Sequence, residues 1–364
     1  MPEMDPPWGW CEAQHLSGWT PSACARGSRP GGSHGHHEEK ALRRTAVDES
    51  VRRKRRRRVP SGRPPVKGTH RALPTGGPHY GSGMDLGVVA FVTQYSLPVV
   101  ELARELEARG FESLFVTEHT HIPTSRETPY AGGRELPEEY RQTYDPFATL
   151  AAAAAVTERL RLGTGICLVP EHDPIVLAKQ VATVDRLSDG RFLFGVGAGW
   201  NAEEMRNHGV DPATRWAVTN DRIAAMQAIW SNDEAEYHGP HVDFDPIWSW
   251  PKPVQHPWPP VLVGGAGERA FDRVIAIGDG WMPLYGTIRG RVPELVSTLG
   301  ERCDAAGRPR LPVTVYWASA RPEALDELSG AGVSRALLRL PTGGRDVVLP
   351  ALDSYADLLS HVRS

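Results

Sequence analysis

Cysteine is scarce in this chain. It has four in 364 residues (Cys11, Cys24, Cys167 and Cys303), and none is closely paired. No Cys-X-X-Cys and no Cys/His spacing of a zinc ligand set occurs. That excludes a disulfide framework and a zinc site, and it fits a reducing, cytoplasmic setting with no metal. Long apolar runs are also missing. The longest, around residues 149–156, is Ala-rich and falls far below the roughly 18–20 residues that cross a bilayer, so no membrane partner is expected. No Gly-X-Gly-X-X-Gly opens the first strand–helix unit, which disfavours a doubly wound dinucleotide-binding sheet.

Charge is unevenly spread. Residues 1–83 hold 15 Lys and Arg against 7 Asp and Glu, while the rest of the chain holds 26 against 37. An acidic body excludes a general nucleic-acid surface. It does not exclude an anionic cofactor held by backbone amides. Residues 1–83 show no helical or strand periodicity and are rich in Gly, Pro, Ser, His and Arg, with a basic block at 52–58 and His34, His36 and His37 close together. Such a segment buries too little apolar area to offset its ordering entropy, so a disordered basic leader is expected rather than a nucleic-acid or metal module. It lacks the apolar core of a secretory signal. Met84 stands directly before the first clean strand, which suggests a second expectation, that native translation starts there and the leader is not made.

From Met84 the pattern changes to regular alternation. Apolar, β-branched strands are predicted over 86–92, 113–116, 160–169, 192–196, 261–263, 280–282, 312–317 and 336–340. Each is followed by a segment with helical spacing, over 97–109, 146–156, 175–187, 215–230, 268–277, 292–306, 322–328 and 347–362. Strands apolar throughout, each followed by a helix, specify a parallel sheet covered by helices. Eight such units predict one domain over 84–364, an α/β (β/α)8 TIM barrel with insertions. Function in that fold lies in the loops after strand C-termini. Two long segments, 119–144 and 231–260, are expected as substrate lids, the second carrying Trp248, Trp250 and Trp258.

Four constellations stand out. Thr117-Glu118-His119-Thr120-His121 ends the second strand and places a group that titrates near neutral pH at the barrel mouth. Gly195, Gly197 and Gly199 alternate before Trp200 and Asn201, which lets a flat or anionic ligand approach the backbone. Gly264, Gly265 and Gly267 lead into a helix whose first N–H groups suit a phosphate. Gly163-Thr164-Gly165-Ile166-Cys167 suits a bulge that re-aims backbone at a ligand, and Cys167 reads there as a small buried residue, not a nucleophile.

Three stretches together resemble the luciferase-like monooxygenase superfamily, closest to its F420-dependent oxidoreductase branch. They are FESLFVTEHTHIP, RLRLGTGICLVPEHDPIVLAKQVATVDRLSDGRFLFGVGAGWNAEE and PPVLVGGAGERAFDRVIAIGDGW. The resemblance covers the body from Met84 and not the leader. It implies a TIM barrel that binds coenzyme F420 or FMN at the strand C-termini, with a non-prolyl cis peptide at Gly165–Ile166 behind the ring. It further implies proton transfer at His119, cofactor contacts at Glu118, Gly165, Ile166, Cys167, Gly197, Gly199 and Glu203, and a cofactor phosphate at Gly264, Gly265 and Gly267. A homodimer is ordinary for the family.

One departure matters. Sugar-phosphate dehydrogenases of that branch carry Gly-Thr-Gly-Glu after strand four, with the Glu in proton transfer. This chain has Gly197-Ala198-Gly199-Trp200, so glucose 6-phosphate oxidation is not expected. Trp200 becomes a substrate wall, and Glu203 and Glu204, one turn on, are the carboxylates nearest in sequence. The expected function is hydride transfer between F420 and a small organic substrate. The alternatives are an FMN-dependent monooxygenase and a non-catalytic cofactor-binding barrel.

Overall fold

The computed structural model describes residues 83–363. The expectations for the leader, including the 52–58 block, the His34 cluster and a start at Met84, lie outside the described residues. The body is a nearly closed parallel barrel wrapped by helices, as the alternation predicts.

In chain order the elements are β1 (Asp85–Ala90), α1 (Val99–Arg109), β2 (Ser113–Val116), α2 (Pro146–Ala154), β3 (Arg161–Thr164), β4 (Cys167–Leu168), α3 (Pro174–Leu187), β5 (Phe192–Gly197), α4 (Ala202–Asn207) and α5 (Arg215–Ser231). There follow β6 (Ala235–His238), β7 (Asp243–Ile247), β8 (Val261–Gly264), α6 (Glu268–Ile277), β9 (Gly280–Met282), α7 (Tyr285–Ile288), α8 (Val292–Ala305), β10 (Thr314–Ala318), α9 (Pro322–Gly330), β11 (Arg335–Arg339) and α10 (Arg345–Arg363). The sheet runs β10-β11-β1-β2-β3-β5-β8-β9, with β4 pairing β5. Isolated parallel bridges Trp281–Val313 and Leu284–Tyr316 bring β9 to β10 and complete the circuit. No described helix is long and apolar enough to cross a membrane.

Two cores result. The outer one lies between strands and helices. The inner one fills the barrel with Val89, Phe115, Leu193, Leu262, Met282 and Leu337, packed against Ile166, Tyr316 and Trp317. Side chains layered this way make the interior solid, not a pore. Gly163 is required by that packing, since a Cβ there would lie 2.4 Å from the Phe115 ring.

The third strand differs from the single run predicted over 160–169. It breaks between Thr164 and Cys167 at a cis Gly165–Ile166 peptide, as the resemblance implies. Leu162 pairs Phe192, but Cys167 pairs Val196, so this strand uses one more residue than its partner: a bulge.

The second correction concerns residues 231–260. They follow a helix and precede a strand, which places both ends of the segment at the N-terminal floor of the barrel, while the hairpin tip runs back along the outside of α5, where Asp221 accepts the His241 and Val242 N–H groups. Lys252 Nζ donates to the carbonyls of Ile229 and Asn232 at the end of α5. The Gln255 amide donates to the Phe192 carbonyl at the start of β5, 2.8 Å away. Within the segment, β6 and β7 form an antiparallel hairpin. It is therefore not a substrate lid. The lid role falls to 119–144 alone.

Candidate functional site

The C-terminal ends of β2, β4 and β5 bring the titratable groups of the mouth together. Register sets this up: Val116 pairs Thr164, so His119 leaves the barrel beside the Gly165–Ile166 bulge. After β5, Asn201 caps α4, its side chain accepting the N–H groups of Glu203 and Glu204. The cap fixes both carboxylates in the first turn, where the helix dipole favours negative charge.

The two acids then diverge. Glu204 is fully buried, and its Oε2 lies 2.7 Å from His119 Nδ1. Its Oε1 accepts the Thr120 N–H at 3.2 Å. Glu203 turns outward and holds the loop above, accepting the Thr128 N–H at 2.9 Å together with the Thr128 hydroxyl and the Ser125 hydroxyl. Burial alone would raise the Glu203 pKa, but those Thr128 donors bring it down to about 2. Glu203 thus fastens the lid rather than facing a ligand.

His119 is held from both sides. A carboxylate at Nδ1 fixes the proton there, and the Trp200 indole Nε1–H donates to Nε2 across 3.3 Å. These partners assign the tautomer: Nδ1 carries the hydrogen, and the Nε2 lone pair accepts the Trp200 N–H, which a substrate hydroxyl can replace. The ring also packs against Tyr140 and Trp200, with centroids at 5.4 and 5.9 Å. Phe91, Tyr130 and Tyr140, with Trp200 and Trp317 beside them, make the mouth aromatic.

Glu118 faces the other way. One oxygen accepts the Leu168 N–H at 2.5 Å and the other lies 2.8 Å from His172 Nε2. Burial would push its pKa up, but the His172 contact and the Leu168 N–H hold it below the ordinary range. Its effect on any ligand passes through the bulge it fastens. Cys167 is buried against it, and burial together with the Glu118 charge pushes the thiol well up, so the thiolate a nucleophile needs is suppressed. Glu118, Cys167 and His172 lie close enough together to hold an ion, yet each is already engaged in this hydrogen-bonded group.

Glu171 is the anomaly. It is buried, and neither carboxylate oxygen has a hydrogen-bond partner among the described residues. Burial and the charges of Glu204 and Glu118 push its pKa well above the usual carboxylate range. An ionised carboxylate there would face two anions without a donor, which favours the protonated form of Glu171. His208 Nε2 lies 3.8 Å from it and 2.7 Å from the Thr120 hydroxyl. Sequence reasoning missed Glu171, His172 and His208. The usable signal was their position after the third and fourth predicted strands, 160–169 and 192–196.

The glycine turn after β8 fits an anionic group. Gly265 and Gly267 have φ of 117° and 73°, and a Cβ at Gly267 would stand in open space before the N-terminus of α6. Gly197 and Gly264 face Ile166, whose Cδ1 would lie 2.0 Å from a Cβ at Gly197, so the bulge packs directly onto the glycine-lined rim. Tyr316 Oη donates to the Gly165 carbonyl at 2.6 Å and supports the bulge from below.

Comparison with known proteins finds relatives over the whole barrel. Residues 84–353 match the family described as luciferase-like monooxygenase. An uncharacterized Mycobacterium tuberculosis protein is 41% identical over 268 residues, covering 72% of this chain and 94% of its own length. The FMNH(2)-dependent dimethylsulfone monooxygenase of Pseudomonas putida is 30% identical over 142 residues, 38% of this chain and 39% of that protein. Among solved structures, monooxygenase RslO1 from Streptomyces bottropensis has a TM-score of 0.62 at 20% identity, covering 76% of this chain and 99% of that one. An F420-dependent secondary alcohol dehydrogenase has 0.61 at 19%, covering 78% and 100%.

Proposed function

The chain belongs to the luciferase-like monooxygenase family, and from that premise we propose that it is an F420-dependent oxidoreductase acting on a small organic substrate, with His119 as its proton-transfer group. The observation that carries the reading is the pairing at His119: a buried carboxylate on Nδ1 and a base nitrogen turned to the mouth. Dehydrogenation of an alcohol releases a hydride and a proton together, and reduction of a carbonyl takes both up. A deazaflavin bound at the mouth supplies the hydride chemistry, and the protein orients it.

The chain's own residues do the rest. His119 Nε2 takes the hydroxyl proton, displacing the Trp200 N–H, and Glu204 stabilises the imidazolium that results. The turn at Gly264, Gly265 and Gly267 holds the cofactor phosphate through N–H groups. The bulge at Gly165, Ile166 and Cys167, fastened by Glu118, backs the ring, Gly197 leaves room for the Ile166 side chain of that bulge, and Gly199 continues the rim beside it. The aromatic mouth excludes water and stacks the substrate, with Trp200 as one wall.

FMN is the second reading, favoured by the dimethylsulfone monooxygenase match. Titration of the purified protein with F420 and with FMN, followed by cofactor fluorescence, separates the two. Tight binding of F420 with weak FMN binding is the expected result. Preference for FMN overturns the deazaflavin assignment. Binding of neither overturns the redox reading.

A further inference from the structure

The lid residue Arg126 points to the chemistry of the substrate. Its guanidinium carbon lies 5.9 Å from the Trp200 ring centroid, over the indole whose N–H edge meets His119. Arg126 is half-buried, and its Nη1 is buried with no hydrogen-bond partner. No ion pair of Arg126 occurs among the described residues. The nearby acids are engaged elsewhere: Glu127 lies 3.6 Å from Arg206, and Glu203 holds Thr128. Packing on an aromatic face does not explain the arrangement, because it leaves the N–H edge of a guanidinium without an acceptor. Arg339 shows the contrast within this protein. It stacks on Trp317 at 4.5 Å and also pairs with Glu139 at 2.7 Å.

A buried guanidinium N–H without an acceptor is costly, and an oxyanion arriving at it is favoured. His119 and Arg126 each lie 5.9 Å from the same indole, one at its edge and one over its face, so one small molecule against Trp200 reaches both. Glu203 grips 125–128 and so keeps Arg126 in place.

We infer that Arg126 is the anion anchor of the substrate site, and that the substrate is a small carbonyl or hydroxy compound bearing a carboxylate or phosphate ester about one aromatic ring away from its reacting carbon. This rests on the reading of His119 as the proton-transfer group. The same chemistry could belong to an acidic part of the cofactor, and the test separates the two sources.

The probes are 4-formylbenzoate, its uncharged methyl ester, and phenyl phosphate. Each is titrated calorimetrically into cofactor-free protein, wild type and Arg126→Gln, with F420 and FMN titrated in parallel. The expected result is that wild type binds the two anions more tightly than the ester. Arg126→Gln should lose about 10- to 100-fold for the anions, as for a charge-assisted hydrogen bond, while ester and cofactor binding stay unchanged. Arg126→Lys should retain part of the preference. Equal affinity of wild type and Arg126→Gln for the anions overturns the inference. So does weakened cofactor binding with anion binding intact, which would assign Arg126 to the cofactor. Absence of any anion preference in wild type overturns it as well. Because these titrations need no cofactor, failure of F420 and FMN to bind defeats the redox reading without deciding the fate of Arg126.

Discussion

The two ends of the barrel treat buried charge in opposite ways. At the floor, the buried charges have their partners. Arg335 meets Glu112 through two nitrogens, and that guanidinium holds the Glu112 carboxyl below its ordinary range although burial alone would raise it. Arg191 places all five N–H donors on Ser188, Thr157, Leu160 and Ala154. Asp185 accepts from Val254 and from Gln255. At the mouth, the Glu171 oxygens have no donor, Arg126 Nη1 has no acceptor, and His119 Nε2 accepts only the Trp200 N–H. Unpartnered buried charge thus gathers at the mouth, where a ligand can supply the missing partner.

That contrast can be broken by experiment. The largest effect is expected at the mouth: His119→Ala should cut turnover by about 10²–10⁴-fold, the range of a general acid–base group. Cofactor affinity should barely change, melting temperature should fall because Glu204 is left buried without the imidazole, and turnover per folded molecule like wild type removes His119 from the chemistry. The next largest lies at the floor. Arg335→Ala leaves Glu112 with Arg161 alone, 3.3 Å away, and should cost stability by denaturant unfolding, but less than the roughly 3–5 kcal/mol of a fully orphaned buried charge. The protein that remains folded should keep its kcat. A large drop in kcat at full folding would mean that the two ends are not independent.

A smaller and pH-dependent effect is expected at Glu171. Its folded pKa is raised, so the native state holds a proton that the unfolded chain gives up, and stability falls as pH rises above the unfolded carboxyl value of about 4.3. Glu171→Gln removes that loss, so its melting temperature should exceed wild type by more at pH 8 than at pH 5. A gap that stays constant or shrinks shows that Glu171 is ionised after all. The smallest effect is expected from Trp248, 79% exposed on the floor segment. Trp248→Ser should leave kcat and KM alone and move stability by less than about 0.5 kcal/mol. A change in KM would restore the lid role to 231–260.

Much of this was legible in the chain itself. The eight strand–helix units follow from local periodicity, since apolar β-branched runs ending in glycine-rich turns need no distant partner to be recognised. Helix α6 and strands β2 and β9 fall within the predicted bounds, and the bulge fell where Gly165-Ile166 suggested. His119 was visible because its position after a strand is a one-dimensional fact.

The errors and omissions share a cause. Residues 231–260 look like a lid as a string, because length and tryptophans carry no direction. Only the path of α5 back to the floor decides where they lie. Glu204 and Glu203 are neighbours in sequence with the same chemistry, and only the helix turn sends one to His119 and the other to Thr128. The sequence by itself determined the architecture and the end of the barrel where chemistry happens, because periodicity and strand order are local. Tertiary structure alone decided which carboxylate meets the imidazole, that Glu171 is buried beside two other carboxylates and that Arg126 lacks an ion pair, because burial and charge pairing depend on residues tens of positions apart meeting in space.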